Sequence, residues 1–256
     1  MGFGQANEDL KIIKRFFNDA KWKRPGAGFF VEMGGYDGIS FSNTFLLEQC
    51  YGWHGLLIEA HPVFYQQMIL SRPCAINVWG AVCNHTNSHA YMVHDFIQTS
   101  VNLTEIAEFN LMYPERPRRV RLVPCKNMKS ILSEHSVTTI DFFSLDIEGY
   151  EAEVLDQIDY THVTINVLIV EREFLGNKNV SHPEYVNGEA KMRKIHEILT
   201  KRAGMLLMPL GGQVPECTRQ RLLLPKRVFE LYGSALYVSP AMRDDICREE
   251  RENTNK

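Results

Sequence analysis

The sequence predicts an α/β chain folded around a mainly parallel sheet with helices on both faces, three layers in all. Three observations carry this expectation. Short apolar runs alternate with segments of helical spacing along most of the chain. Glycines or acids, the residues of ligand-binding turns, close three of those runs at Gly34–Gly38, Glu59 and Asp146. A length of 256 residues, 45% of them hydrophobic, suits one large domain with a substantial core.

In chain order, Leu10, Ile12, Ile13, Phe16 and Phe17 recur at helical spacing, and Lys23–Gly26 ends that helix. Phe29–Met33 is an apolar strand with one carboxylate, Glu32, near its end. A glycine-rich turn follows, then a helix over Ser42–Tyr51 stopped by Gly52, then a strand over Gly55–Ile58. Pro62 opens the next helix, to Leu70, and Ala75–Val82 reads as one strand containing Gly80. Residues 84–118 are irregular, with a hairpin at Ala90–His94, and the stretch 84–125 reads as a substrate-side insertion. Val120–Pro124 is a strand and Met128–Leu132 a short helix. Ile140–Leu145 is a buried strand ending at Asp146, with a helix through Ile158. Val163–Val170 is the most strand-like run and closes at Glu171. A basic helix spans 189–203, and strands fall at Met205–Leu210, Arg221–Leu224 and Ser234–Ser239. One domain is expected over 1–242, with a charged tail over 243–256.

The unit from Gly28 to Pro62 carries the strongest ligand signal. Glycines without Cβ let the main chain bend sharply and lie close to a ligand. Glu59 stands twenty-one residues past Gly38, at the end of the second strand. A carboxylate there can accept both hydroxyl protons of an adenosine ribose. Two ligand classes fit, a nicotinamide dinucleotide and S-adenosylmethionine. The pattern here is Glu-x-Gly-Gly-x-x-Gly instead of Gly-x-Gly-x-x-Gly. A carboxylate at Glu32 would repel a pyrophosphate but suit amino and sulfonium groups, which favours the methyl donor. The expected cradle is Glu32, Gly34, Gly35, Asp37, Gly38, Glu59, Ala60 and Ala81, with Gln5, Ser42 and Asn43 as further contacts. Ser42 has a second reading, as the cap of the helix it precedes.

Asp146 and Glu148 follow the central strand, where open α/β sheets hold their ligands, and Glu171 ends the neighbouring one. Either acid could take the proton of an acceptor hydroxyl. Alternatively, Asp146 and Glu171 could hold magnesium or manganese, hard cations suited to oxygen ligands. His54 and His61 read as core or surface residues before they read as bases. The cluster Arg116, Arg118, Arg119 and Arg121 reads first as a solvated edge and second as a grip on an acidic acceptor.

Together these segments resemble the FkbM-type family of S-adenosylmethionine-dependent methyltransferases. The matching pieces are Phe29–Gly38, Ser42-Asn43-Thr44 with Gly52-Trp53, Ile58–Pro62, Asp141–Glu151 and Leu168–Glu171, and Gly4-Gln5 resembles an N-terminal element of many relatives. Gly35 departs from the family pattern, where Ala is commoner. The resemblance implies a Rossmann-like sheet with a reversed, antiparallel last strand. It also implies O-methylation, often of sugars or other hydroxylated small molecules and glycans. An NAD-dependent oxidoreductase and a non-catalytic binding module are the competing readings.

A formal net charge of −3 gives no case for nucleic acid as a partner. No apolar run is long enough to span a bilayer. Six scattered cysteines, with no C-x-x-C pair, are expected to be free thiols, and a cytoplasmic location follows as the default. Sequons at Asn84, Asn102 and Asn179 read as chance occurrences.

Overall fold

In the computed structural model, the residues described are 2–4, 7–83, 89–94, 107, 110–111, 114, 119–147, 149–171, 183–208, 235–245 and 248. Ten strands are described: β1 (Phe29–Met33), β2 (His54–Glu59), β3 (Ile76–Trp79), β4 (Ala81–Val82), β5 (His89–His94), β6 (Arg119–Lys126), β7 (Thr139–Leu145), β8 (Thr164–Val170), β9 (Leu206–Met208) and β10 (Ala235–Val238). The helices are α1 (Glu8–Phe16), α2 (Phe45–Tyr51), α3 (Pro62–Ser71), α4 (Met128–Glu134), α5 (Glu151–Asp156) and α6 (Pro183–Glu197), which runs into a π-helical turn at Ile198–Arg202.

Seven strands form one sheet in the order β3-β2-β1-β7-β8-β10-β9. The pairs β3–β2, β2–β1, β1–β7 and β7–β8 are parallel, and β10 runs antiparallel to both of its neighbours. This is the expected Rossmann-like sheet with a reversed last strand. The chain starts in the middle at β1, builds outward to β3, and then returns to β7 on the other side. That reversal opens a crevice beyond the carboxyl ends of β1 and β7, where such sheets bind ligands.

Alternation along each strand feeds two cores. Val31, Met33, Leu56, Ile58, Phe143 and Leu145 pack on one face with Met128 and Ile131 of α4, Val154 and Leu155 of α5, and Met192 and Ile195 of α6. Phe30, Leu57, Phe142 and Val167 pack on the other with Ile12, Ile13, Phe16 and Phe17, with Leu47 of α2 and with Met68 of α3. Burial on both faces explains why these strands read as continuous apolar runs.

The expected strand over Ala75–Val82 is broken. Gly80 at φ +148 turns the chain, and β4 leaves the large sheet to pair in parallel with β6, while β5 pairs with β6 in the opposite sense. The basic helix begins earlier than expected, at Pro183, and ends in the π-helical turn. The expected strand at Arg221–Leu224 lies outside the described residues.

Cys83 and Cys125 form a disulfide between the end of β4 and β6, which corrects the expectation of six free thiols. Scattered spacing carried no sign of the pair, because the sheet brings together two residues 42 apart in sequence. In the chain-entropy account, closing a loop of that length restricts the unfolded chain by about 4 kcal/mol. Cys50 and Cys74 are free and exposed. Among the described residues no helix is long and apolar enough to cross a membrane.

One buried cation ties the first half of the sheet to its helices. Arg72, fully buried after α3, places Nε 2.6 Å from Glu48 of α2 and donates to the Gly38 carbonyl, Ser42 Oγ and Thr44 Oγ1. Glu32 on β1 lies 3.9 Å away. Removing one partner of a buried ionic network leaves the others unpaired, at roughly 3–5 kcal/mol. Arg72→Ala should therefore lower the free energy of unfolding by that amount in urea titrations, whereas Lys201→Ala, in an exposed pair with Glu197, should change it by less than about 1 kcal/mol.

Candidate active site at the carboxyl edge of the sheet

The turn after β1 is held from below. Gly34 and Gly35 both donate their N–H to the Ile58 carbonyl, at 3.1 and 3.2 Å. At Gly34, with φ +80, a Cβ would stand 1.9 Å from the Asp146 carbonyl oxygen. Only glycine lets the β1 turn and the end of β7 come so close. Gly38 takes φ +86, and a Cβ there would meet Ser71 Oγ at 2.4 Å. Tyr36 (φ 48) and Phe41 (φ 62) hold left-handed conformations without being glycine, a cost tolerated mostly in functional loops.

Glu32 is buried and committed to the protein. Its Oε1 accepts from the Asn43 N–H, and its Oε2 from the hydroxyls of Ser42 and Thr44, each at 2.7 Å. Burial pushes its carboxyl up, opposed by the Arg72 charge and by those three donors. Through those three hydrogen bonds it shapes the loop over 42–44. Asp37 is similarly occupied, accepting from the N–H groups of Ile39 and Ser40 and from the Ser40 hydroxyl. Ser42 caps α2, its Oγ accepting from the N–H of Thr44 and Phe45.

Asn43 bridges the loop to β7, donating its amide to Ser144 Oγ at 3.1 Å, and its buried Oδ1 has no hydrogen-bond partner among the described residues. A buried acceptor left unmet points to a donor that belongs there. Glu59, at the end of β2, is only 7% exposed. Each of its oxygens accepts one main-chain N–H, Oε2 from Tyr36 at 2.8 Å and Oε1 from His61 at 2.6 Å. Two N–H donors fix the carboxylate plane and leave a lone pair on each oxygen for a ligand. Burial pushes its carboxyl up to about 7, against those same hydrogen bonds. Ala60 and Ala81 are half-buried beside it, and the Gly80 N–H bonds to the Glu59 carbonyl.

Asp146 stands across the crevice. Its N–H bonds to the Met33 carbonyl at 3.2 Å, and the Glu171 N–H bonds to the Leu145 carbonyl at 2.9 Å, so the two acids end adjacent strands in register. Burial pushes the Asp146 carboxyl up; a hydrogen bond with Glu171 opposes that shift, and the charge of Glu8 at the head of α1 adds to it. Glu151 holds the turn beyond, accepting from the N–H of Ile147 and Gly149.

Gln5 and Glu148 lie outside the described residues, as do Arg116 and Arg118. Arg121 is exposed on β6, as a solvated edge would place it, and His54 is exposed. His61 caps α3 through Nδ1, which accepts from Val63 and Phe64. Sequence reasoning missed Arg72, Glu48 and Glu8. A lone arginine before a proline and acids within ordinary helices carry no local pattern. Among the described residues, no three His, Cys, Asp or Glu are arranged to hold a metal ion.

A family model described as a methyltransferase FkbM domain matches residues 32–203 of this chain. No curated protein matches it. Among solved structures it is similar to an O-methyltransferase from Bacillus cereus in complex with SAH, with 10% identity over 91% of this chain and 80% of that one and a TM-score of 0.47. It is similar too to the O-methyltransferase TomG from Streptomyces achromogenes in complex with SAM, at 13% identity, 91% and 79% coverage and a TM-score of 0.45.

Glu59 supplies a test of the site without any ligand. Its carboxyl lies near 7 when folded, against 4.5 for the ordinary group. A raised folded value means that the stability it contributes is full below pH 4.5 and is lost as pH rises through about 7. Relative to Glu59→Gln, the wild-type protein should lose on the order of 2–3 kcal/mol between pH 4.5 and 8. Urea unfolding of both proteins across that range measures the difference; parallel profiles would contradict a buried, raised Glu59.

Proposed function

The chain belongs to the FkbM family of S-adenosylmethionine-dependent methyltransferases, and from that membership we propose that it methylates a hydroxyl of a small molecule or glycan, a sugar in the first instance. One observation carries the reading of the site. Glu59 holds two pre-oriented carboxylate oxygens beside a glycine turn, and the acids Asp146 and Glu171 end the adjacent strands β7 and β8 across the crevice.

The residues present fit the cofactor. Gly34 and Gly35 leave the turn without side chains, and the unmet Asn43 Oδ1 offers an acceptor for an amino group. Glu59 would accept the two ribose hydroxyls, with Ala60 and Ala81 beside the adenosine. The methyl donor, when bound, supplies an electrophilic methyl on a sulfonium. Asp146 would accept the acceptor's hydroxyl proton as the new O–CH3 bond forms and the S–CH3 bond breaks. Glu171, hydrogen-bonded to Asp146, would orient it. An alcohol's pKa is far above neutrality, so a positioned base contributes ~10²–10⁴-fold. Burial that raises the Asp146 carboxyl also makes its carboxylate a stronger base. The same two carboxyls could instead hold magnesium or manganese, and the chelator test below separates the two roles.

Two variants separate binding from chemistry. Losing charge-assisted hydrogen bonds costs ~1.5–3 kcal/mol each, so Glu59→Ala should weaken S-adenosylhomocysteine binding at least about tenfold by calorimetry. Unchanged affinity would remove the cofactor reading of Glu59.

Asp146→Asn should lower kcat by ~10²–10⁴ while leaving S-adenosylhomocysteine affinity nearly intact. Activity insensitive to a chelator supports the base; loss restored by magnesium or manganese would assign the carboxyls to a metal instead. Near-normal kcat in Asp146→Asn would make the carboxylate structural.

A further inference from the structure

We propose that Cys83 and Cys125 form a redox-sensitive latch on the adenosine side of the cofactor pocket, closed as the disulfide and loosened as the two thiols. The proposal rests on the reading of Glu59, Ala60 and Ala81 as that side of the pocket.

The geometry begins at Glu59. Its carbonyl accepts from the Gly80 N–H at 3.0 Å, and Gly80 swings the chain out of the large sheet into β4. β4 is only two residues long, and its register sets Ala81 opposite Cys125 and Val82 opposite Lys126. One further main-chain bond, from the Cys83 N–H to the Lys126 carbonyl at 2.9 Å, extends this pairing. A two-residue strand has few hydrogen bonds of its own, so a covalent link at its end carries much of the restraint. Around the link lies a small apolar cluster of Cys83, Ala90, Met92 and Val123, against which Ala60, Ala81 and Cys125 pack. Ala60 and Ala81 thus touch the disulfide cluster while standing beside Glu59. Slack in this cluster reaches the pocket through direct packing and one strand end.

The two sulfurs are not equally open. Cys83 is 3% exposed, and Cys125 is half-buried. An incoming thiolate therefore reaches Cys125, forms a mixed disulfide there, and expels Cys83 as the thiolate. A second thiol resolves the mixed disulfide, and two electrons and two protons have then passed from the reductant to the cysteine pair. Closure is the reverse exchange with oxidised glutathione, which leaves as two reduced molecules carrying the two thiol protons. In a reducing compartment such a pair serves as a sensor; in an oxidising one it stays shut.

Coupling between the latch and the cofactor must be reciprocal. The oxidised protein binds S-adenosylhomocysteine more tightly, and the bound protein gives up its disulfide to a dithiol less readily. The experiment equilibrates the full chain with oxidised glutathione or with dithiothreitol and checks each state by intact mass and thiol alkylation. Affinity for S-adenosylhomocysteine is then read by calorimetry. Expected is a loss of at least about fivefold on reduction. The Cys83→Ala, Cys125→Ala double variant should bind as the reduced protein does, whatever the glutathione ratio. Equal affinity in two states confirmed by mass overturns the latch, and so does a pair that oxidised glutathione fails to close. If neither state binds S-adenosylhomocysteine, the cofactor reading fails separately. Hydrogen exchange then decides the latch: faster exchange at 81–83 and 119–126 on reduction sustains it, and unchanged exchange overturns it. Should the double variant fail to fold, the wild-type comparison decides alone.

Discussion

The buried guanidinium of Arg72 is the constraint on which the rest of the site depends. A charge with no exposure must have every N–H satisfied, and here the partners come from the β1 turn, the loop before α2 and α2 itself. Each of those partners is also a member of the site's frame. Glu32 gathers Ser42, Asn43 and Thr44; Gly38 closes the glycine turn; Glu48 anchors α2. Rings of Phe30 and Phe45 lie within 5.5 Å of the guanidinium and seal it from water. The loop is therefore shaped by ionic and hydrogen-bonding demands that water cannot meet. That is how a stretch with two strained aromatic residues keeps one conformation.

Given that frame, the carboxyl edge separates four acids by environment. Glu32 accepts from three protein donors and shapes the loop. Glu59 has one main-chain donor for each oxygen and capacity to spare. Asp146 and Glu171 face each other with Glu8 nearby. Burial raises the carboxyls of Glu32, Glu59 and Asp146 alike. A group held by burial away from its preferred charge state responds strongly to a ligand that restores it.

The small sheet of β4, β5 and β6 changes how the stretch after β3 is understood. A disulfide staples β4 to β6 within it, and its apolar cluster packs against Ala60 of the main body. A substrate-side role for the residues between the cysteines stays a proposal. The paired cysteines also remove one support for a cytoplasmic location, since free thiols were part of that expectation.

Much of the architecture was legible in the residues. The apolar runs at Phe29–Met33, Ile140–Leu145 and Val163–Val170 could be nothing but strands buried on both faces, and the glycines and acids that end them mark a ligand edge through local chemistry alone. Family membership rests on the same contiguous pieces. What the sequence by itself could not decide were contacts between distant residues. Arg72 reaches Glu48 across 24 positions and Cys83 meets Cys125 across 42, and neither pairing leaves a trace in local spacing or periodicity. The three donors gathered around Glu32 were likewise set by tertiary packing. A carboxylate's role depends on how many donors surround it and how far it is from water, and those are properties of the folded neighbourhood, not of the residue.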